Sequence, residues 1–379
     1  MLKIVTLIGA RPQIIKAAAI SRAIKTEFSN ELSEVIVHTG QHYDANMSAV
    51  FFEEMDIPAE KYNLAAGGGS HAEQTAKIMV EFEKVILIEK PDVILLYGDT
   101  NSTLAAALVG SKLKIPIVHV EGGVRINTKD YPEEINRILT DNLSSLIFVP
   151  NLDGVKCLKR EGFDTENTDK GTLDRPKVVF CGDIMYDNSL YYASKTNNTF
   201  LKKLGIAEKK IILLTLHRHN LSEDESLLRN VFSGLENVIL QSPAIIVFPV
   251  HPRTKKLIDS IALSEELKNR VLFIEPVSYL EMIELEEHAD LIMTDSGGVQ
   301  KEAYFFKKPS LILLENTPWI ELVESGTAML CGYDKSRITD NFAKLMNKKD
   351  LYFPDIYGDG RAAYFICEQI KYCFTTKIN

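Results

Sequence analysis

Asp99 closes the apolar run DVILLYGD, Glu121 closes IPIVHVEGG, and Glu133 stands with Glu134 at the start of the helical segment PEEINR. Carboxylates brought to one crevice shift one another's proton affinity, the condition for general acid–base work. A helix start also favours acidic residues through its dipole, so at least one of Glu133 and Glu134 has a structural explanation. A second group of residues has phosphate chemistry. In TDSGGVQKEA an apolar run ends at Asp295, Ser296 takes the N-cap position, and Gly297 and Gly298 allow a ligand close to the backbone. Free amide N–H groups and the helix dipole there favour phosphate. Glu302, one turn on, suits ribose hydroxyls. In GARPQIIKAA, Gly9 ends the first apolar run, Pro12 fits a first helical turn, and Arg11 and Lys16 offer two cations to a pyrophosphate. His217 and Arg218 in LHRHN, and His251 and Arg253 in VHPR, end two further runs. His217 is suited to holding a phosphate oxygen or moving a proton.

Positioning these residues falls to a regular series of elements. Unbroken Val/Ile/Leu runs begin near Lys3, Glu34, Asp92, Ile115, Ser145 and Lys177. They resume near Lys210, Ala244, Arg270, Asp290, Pro309 and Thr327. Each is followed by a longer amphipathic segment, the pattern of parallel strands buried on both faces and joined by helices. The polar stretch SKTNNTF, Ser194 to Phe200, separates the two series. The expectation is an α/β chain of two doubly wound domains, residues 1–189 and 190–360. A terminal helix over 361–379 follows YGDG and packs back across the domains. Ligands of such sheets bind at the C-terminal strand ends, in a cleft between the two domains.

With 379 residues, 45% hydrophobic, the chain has ample material for two or three cores. Its formal charge of -9 argues against a general nucleic-acid binder, which needs a basic stripe. The five cysteines lie in no metal or C-x-x-C spacing and read as free thiols of a reducing compartment. The first apolar run stops at Gly9, and no run approaches the roughly 18 residues needed to span a bilayer, so the expected location is cytoplasmic, with no membrane partner. No H-E-x-x-H motif is present and no G-x-G-x-x-G follows a strand, so neither metal nor nicotinamide cofactor is expected.

Taken in order, GARPQIIKAA, TGQHYD, YGDTNSTLAA, VEGGVR, PEEINRILTD, LHRHN, VHPR, TDSGGVQKEA and YGDG resemble the non-hydrolysing UDP-N-acetylglucosamine 2-epimerase family, from Ile4 to about Ile370. GARPQ and the short span from Glu121 to Glu133 lie nearer the branch acting on UDP-2,3-diacetamido-2,3-dideoxy-glucuronate. The resemblance implies two Rossmann-like domains in the GT-B arrangement, a UDP-sugar substrate, no cofactor and a homodimer. It implies that Asp99, Glu121 and Glu133 are the acid–base carboxylates and that His217 sits by the diphosphate. Arg11, Lys16 and Arg125 would hold diphosphate or sugar. Ser296, Gly297, Gly298 and Glu302 would take phosphate and ribose, with Tyr279 near the uracil. Gln41 and His42 fall in a region that lines a regulatory site in some relatives. The sequence departs from the family pattern at Asn220 and Leu221, at Leu314 and Glu315, at Pro318, and in VEGGV where VEAGL is usual. A hydrolysing 2-epimerase, a GT-B glycosyltransferase and a non-catalytic nucleotide-sugar binder are the rivals. Free sugar, transfer to an acceptor, or binding without turnover would identify them respectively.

Overall fold

The computed structural model describes residues 1–40, 56–217, 224–348 and 350–375; Gln41, His42, Arg218, Asn220 and Leu221 lie outside them, as does the side chain of Arg253. Two compact units divide the chain: Met1–Asn188 with Asp355–Asn379, and Ser189–Pro354. Residues 355–360 therefore belong with the first unit, although the sequence pattern assigns them to the second.

In the first unit seven strands form one parallel sheet: β1 (Leu2–Ile8), β2 (Leu32–His38), β3 (Tyr62–Asn63), β4 (Val93–Tyr97), β5 (Ile117–Val120), β6 (Leu146–Val149) and β7 (Lys177–Phe180). Their order is β3-β2-β1-β4-β5-β6-β7. Every residue of β4, β5 and β6 is buried, which is why these segments read as continuous apolar runs. The two-residue β3 has no such run and does not stand out in the sequence. The strand order reverses between β1 and β4, the switch point at which doubly wound sheets bind ligands. The turn after β1 carries Gly9 to Arg11, and the turn after β4 carries Gly98 and Asp99. Thr100 Oγ1 accepts the Thr103 amide at 3.3 Å and caps the helix Asn101–Lys112, while Pro12 lies in the first turn of the helix Arg11–Glu27.

The second unit repeats the plan with β8 (Ile211–Thr215), β9 (Ile245–Pro249), β10 (Val271–Ile274), β11 (Leu291–Thr294), β12 (Ser310–Ile312) and β13 (Ala328–Leu330). Their order is β10-β9-β8-β11-β12-β13, all parallel. Here the switch point is between β8 and β11, where Thr215 is in register with Thr294 and their hydroxyls are 2.6 Å apart. His217 and Ser296 each follow two residues later. The fold class is α/β with two Rossmann-like units. No helix among the described residues is long and apolar enough to cross a membrane.

The C-terminal helix Ala362–Phe374 is fastened to the first unit. Phe28 packs on Tyr364 with ring centroids 5.2 Å apart, and Lys371 pairs with Glu31 at 2.9 Å. The Asp187 carboxylate accepts the Ala362 and Ala363 amides at 3.0 and 2.7 Å, serving the orphan donors of that helix start. Burial raises the Asp187 carboxyl from 3.8 to about 6 despite those hydrogen bonds. The folded chain therefore binds this proton more tightly than the unfolded chain. The group's contribution is most favourable below pH 4 and is lost as pH rises to about 6, a change of roughly 3 kcal/mol at most. Asp187→Asn removes the titration, although its side-chain nitrogen cannot accept the hydrogen bond taken by the second carboxylate oxygen. Whatever the offset between the two at pH 4, the melting temperature of wild type should fall relative to that of the variant as pH rises to 7.5. A difference independent of pH would show that burial does not dominate at this carboxyl.

Candidate functional site

The acidic strand ends of the first unit are held by partners from neighbouring turns. Glu121 has φ +73°, in the left-handed region that non-glycine residues seldom enter. Its amide and that of Gly122 both bond the Phe148 carbonyl, at 3.1 and 3.0 Å, so β6 enforces the conformation. Backbone strain maintained in this way gathers at functional sites. The Glu121 carboxylate forms an ion pair with Lys16, whose side chain is only 10% exposed. Gly98, φ +63°, comes up beside this pair: a Cβ there would lie 3.5 Å from Lys16 Nζ and 3.7 Å from Glu121 Oε2. Asp99 follows immediately, 31% exposed at its side chain, and receives Arg137 Nη2 at 2.7 Å. Asn136 Nδ2 donates to the Asp99 carbonyl at 2.8 Å.

Arg137 and Asn136 come from the helix Pro132–Leu143, whose start separates the two adjacent glutamates. Glu134 is buried, accepts the Ile126 and Asn127 amides at 3.0 and 2.9 Å, and receives Arg137 Nη1 at 2.7 Å. It is structural. Glu133 is exposed at the first turn of that helix. The structure thus brings Asp99, Glu121 and Lys16 together around Gly98, and links Asp99 through Arg137 to the helix that carries Glu133. Arg11 is exposed at the helix start after β1.

Arg125 does not join them, and its expected role in binding is corrected here. Its side chain is 2% exposed, with Nε and Nη2 on Glu161 at 2.7 and 2.8 Å and Nη2 also on Asp141 Oδ2 at 2.7 Å. A guanidinium so enclosed is committed to the loop it holds. Burial alone would raise the Asp141 carboxyl, but hydrogen bonds and charges from His119 and Arg125 outweigh it and hold it below the ordinary carboxylate range.

Sequence reasoning passed over Gln13 and His119. Buried Gln13 accepts the Gly9 and Ala10 amides at 2.9 and 3.0 Å and donates to the Tyr97 carbonyl and Thr103 Oγ1, tying the β1 turn to the β4 turn. Its position in GARPQ is the only sequence signal. For His119 the signal is clearer, because a histidine inside a wholly buried strand needs polar partners.

In the second unit, buried Asp295 accepts the His217 amide at 2.9 and 3.0 Å and so fixes the β8 turn against the β11 turn; the His217 side chain is exposed. Ser296 occupies the N-cap of the helix Gly297–Phe305, but its hydroxyl makes no capping hydrogen bond. The expected cap is not formed, and the first amides of this helix receive nothing from it. A Cβ at Gly298 would meet only Glu302 Oε2 at 3.9 Å and Ser296 Oγ at 4.0 Å, and at Gly297 only Trp319 Nε1 at 3.6 Å. Among the described residues, a Cβ at either glycine would meet nothing closer than ordinary van der Waals contact. The segment that departs from the family pattern braces this turn: Trp319 Nε1 donates to the Gly297 carbonyl at 3.0 Å, Thr317 Oγ1 donates to Gln300 at 2.6 Å, and Glu315 pairs with Arg337 at 2.7 Å.

Glu302 is buried and accepts the Tyr279 hydroxyl at 3.2 Å, while Tyr192 packs edge-on against Tyr279 with centroids 5.6 Å apart. Behind them Glu286 is fully buried, and burial followed by the neighbouring Glu302 carboxylate holds its carboxyl well above the ordinary range.

A family model described as UDP-N-acetylglucosamine 2-epimerase matches residues 24–371. A UDP-N-acetylglucosamine 2-epimerase homolog of Methanococcus maripaludis is 44% identical over 375 residues, covering 98% of this chain and 99% of the relative. The UDP-2,3-diacetamido-2,3-dideoxy-D-glucuronate 2-epimerase of Pseudomonas aeruginosa is 43% identical over 370 residues, covering 97% and 99%. Among solved structures, the UDP-GlcNAc 2-epimerase of Methanocaldococcus jannaschii in complex with UDP-GlcNAc and UDP has a TM-score of 0.82 at 39% identity, covering 98% of this chain and all of that one.

Proposed function

From a chain that belongs to the UDP-N-acetylglucosamine 2-epimerase family, we infer an isomerase that inverts C2 of a UDP-linked 2-acetamido sugar without hydrolysing it. The observation that carries the chemistry is Glu121: a carboxylate held at φ +73° and paired with Lys16, next to the turn that bears Asp99. The C2–H of such a sugar has no adjacent carbonyl, so direct deprotonation near neutral pH is out of reach. Departure of UDP from C1 places positive charge beside C2 and acidifies that proton. A carboxylate then removes it, giving a 2-acetamidoglucal with UDP still bound. Protonation of the opposite face of C2 and return of UDP to C1 complete the inversion.

Asp99, Glu121 and Glu133 supply the acid–base groups in this scheme, and Lys16 is the counter-cation of Glu121. Arg11 takes diphosphate or sugar. From the second unit, Ser296, Gly297 and Gly298 hold phosphate, Glu302 the ribose and His217 the diphosphate, with Tyr279 near the uracil. The sugar is UDP-GlcNAc or its 2,3-diacetamido uronate analogue. Five unpaired cysteines fit a cytoplasmic enzyme. Val80, Leu87 and Ile88, exposed on the helix His71–Glu89, offer the apolar surface a homodimer would bury; sedimentation equilibrium should give twice the chain mass of 42.6 kDa.

NMR of the protein incubated in D₂O with each UDP-sugar tests the reading. Deuterium should enter product C2, with the sugar still joined to UDP, for one substrate and not the other. Product unlabelled at C2 would refute proton exchange there, and accumulation of free sugar with UDP would select the hydrolysing alternative.

A further inference from the structure

His119 lies in the middle of buried β5 with its side chain wholly enclosed. Nε2 is 2.7 Å from the Gly98 carbonyl and Nδ1 is 2.7 Å from Asp141 Oδ1. Each ring nitrogen thus has an oxygen within hydrogen-bond distance, one on each turn's side of the ring. Asp141 in turn accepts the Gly123 amide at 3.1 Å and Arg125 Nη2 at 2.7 Å, and Arg125 is anchored on Glu161. One continuous set of buried hydrogen bonds therefore joins the β4 turn, which carries Asp99, to the β5 turn, which carries Glu121. Gly122 makes room for it: a Cβ there would sit 2.7 Å from Asp141 Oδ1, 3.3 Å from His119 Nδ1 and 2.3 Å from Ile147 Cγ2. A side chain here would have to displace Ile147 first and the Asp141 carboxylate next.

We propose that His119 is a positioning residue for the epimerisation: its ring is the strut that fixes the Asp99 turn against the Glu121 turn, and it acts on the reaction only through them. The proposal rests on the reading of Asp99 and Glu121 given above. Misplacing a reacting group by about 1 Å costs on the order of 100-fold in rate. His119→Asn keeps a donor for Asp141 but cannot reach Gly98; His119→Gln reaches towards Gly98 but loses Asp141. Each should lower kcat 10- to 100-fold while KM and the Kd for UDP stay within twofold of wild type, measured well below each variant's melting temperature. A folded variant with wild-type kcat, or one in which kcat, KM and Kd all worsen together, would overturn the proposal. Should the variants not fold, ¹⁵N NMR of the wild-type chain decides: both ring nitrogens of His119 must be engaged in hydrogen bonds, and a ring nitrogen without one overturns the strut. Failure of the underlying reading looks different, since the wild-type protein itself would then exchange no C2 deuterium.

Discussion

Glu121→Gln is expected to lower kcat for epimerisation by roughly 10²- to 10⁴-fold, the range a positioned general acid or base contributes, while leaving the Kd for UDP within about twofold. The substitution preserves shape and removes one charge. The backbone constraint at residue 121 comes from β6, through the two hydrogen bonds to the Phe148 carbonyl, and persists in the variant. What disappears is the only part of the side chain able to exchange a proton with carbon, together with the partner charge of Lys16. Glu121 itself is assigned no contact with UDP, which is given to Arg11 and to residues of the second unit, so its affinity should not follow. Deuterium incorporation at C2 and kcat should fall together, because both pass through the same proton transfer. A variant with wild-type turnover would remove Glu121 from the chemistry and leave the strain at φ +73° without a function. Asp99→Asn and Glu133→Gln belong in the same series. If all three retain wild-type rates, the acid–base assignment for the first unit fails.

How far this arrangement can be read from the chain alone depends on how local its causes are. Strands such as DVILLY and KIILLT declare themselves because burial on both faces demands unbroken apolar residues, and β4 and β8 fall where those runs lie. Tyr62–Asn63 escapes because two residues at a sheet edge leave no such run. Turns are also local: Thr100, directly after Asp99, caps its helix. Side-chain partners are not local. Nothing in PEEINR says that Glu134 turns inward onto the Ile126 and Asn127 amides while Glu133 stays exposed, because the choice depends on a loop folded over the helix start. Arg125 next to two glycines looks like a ligand-binding cation until Asp141, sixteen residues away, and Glu161, thirty-six away, are seen to enclose it. Ser296 has the sequence position of a cap and the backbone of one, yet its hydroxyl does not cap. Local rules placed the residue; what its oxygen bonds is decided elsewhere.

That departure leads to the second large effect. Gly298→Ala should weaken UDP binding tenfold or more, about 1.4 kcal/mol, and at the same time leave the free protein as stable as wild type or more stable by up to about 1 kcal/mol. The two signs follow from different causes. Neither Gly297 nor Gly298 has positive φ, so the backbone does not require glycine. Among the described residues, and apart from its chain neighbours and its own helix backbone, the nearest atom to a methyl at 298 is Glu302 Oε2, at 3.9 Å, and alanine is the better helix former. Packing glycines of this chain behave differently: a Cβ at Gly122 would run into Ile147 at 2.3 Å, and one at Gly171 into the Ser145 carbonyl at 1.9 Å. A helix start that tolerates a side chain but has none is explained by a ligand that needs the space. Phosphate reaching the uncapped amides after Ser296 would be held off by a methyl at 298, and hydrogen bonds to a charged group are worth roughly 1.5–3 kcal/mol each. Calorimetric titration with UDP and thermal unfolding of the ligand-free variant separate the two effects. Unchanged affinity would move the nucleotide away from this turn, and a large loss of stability in the free variant would make Gly298 a packing residue like Gly122.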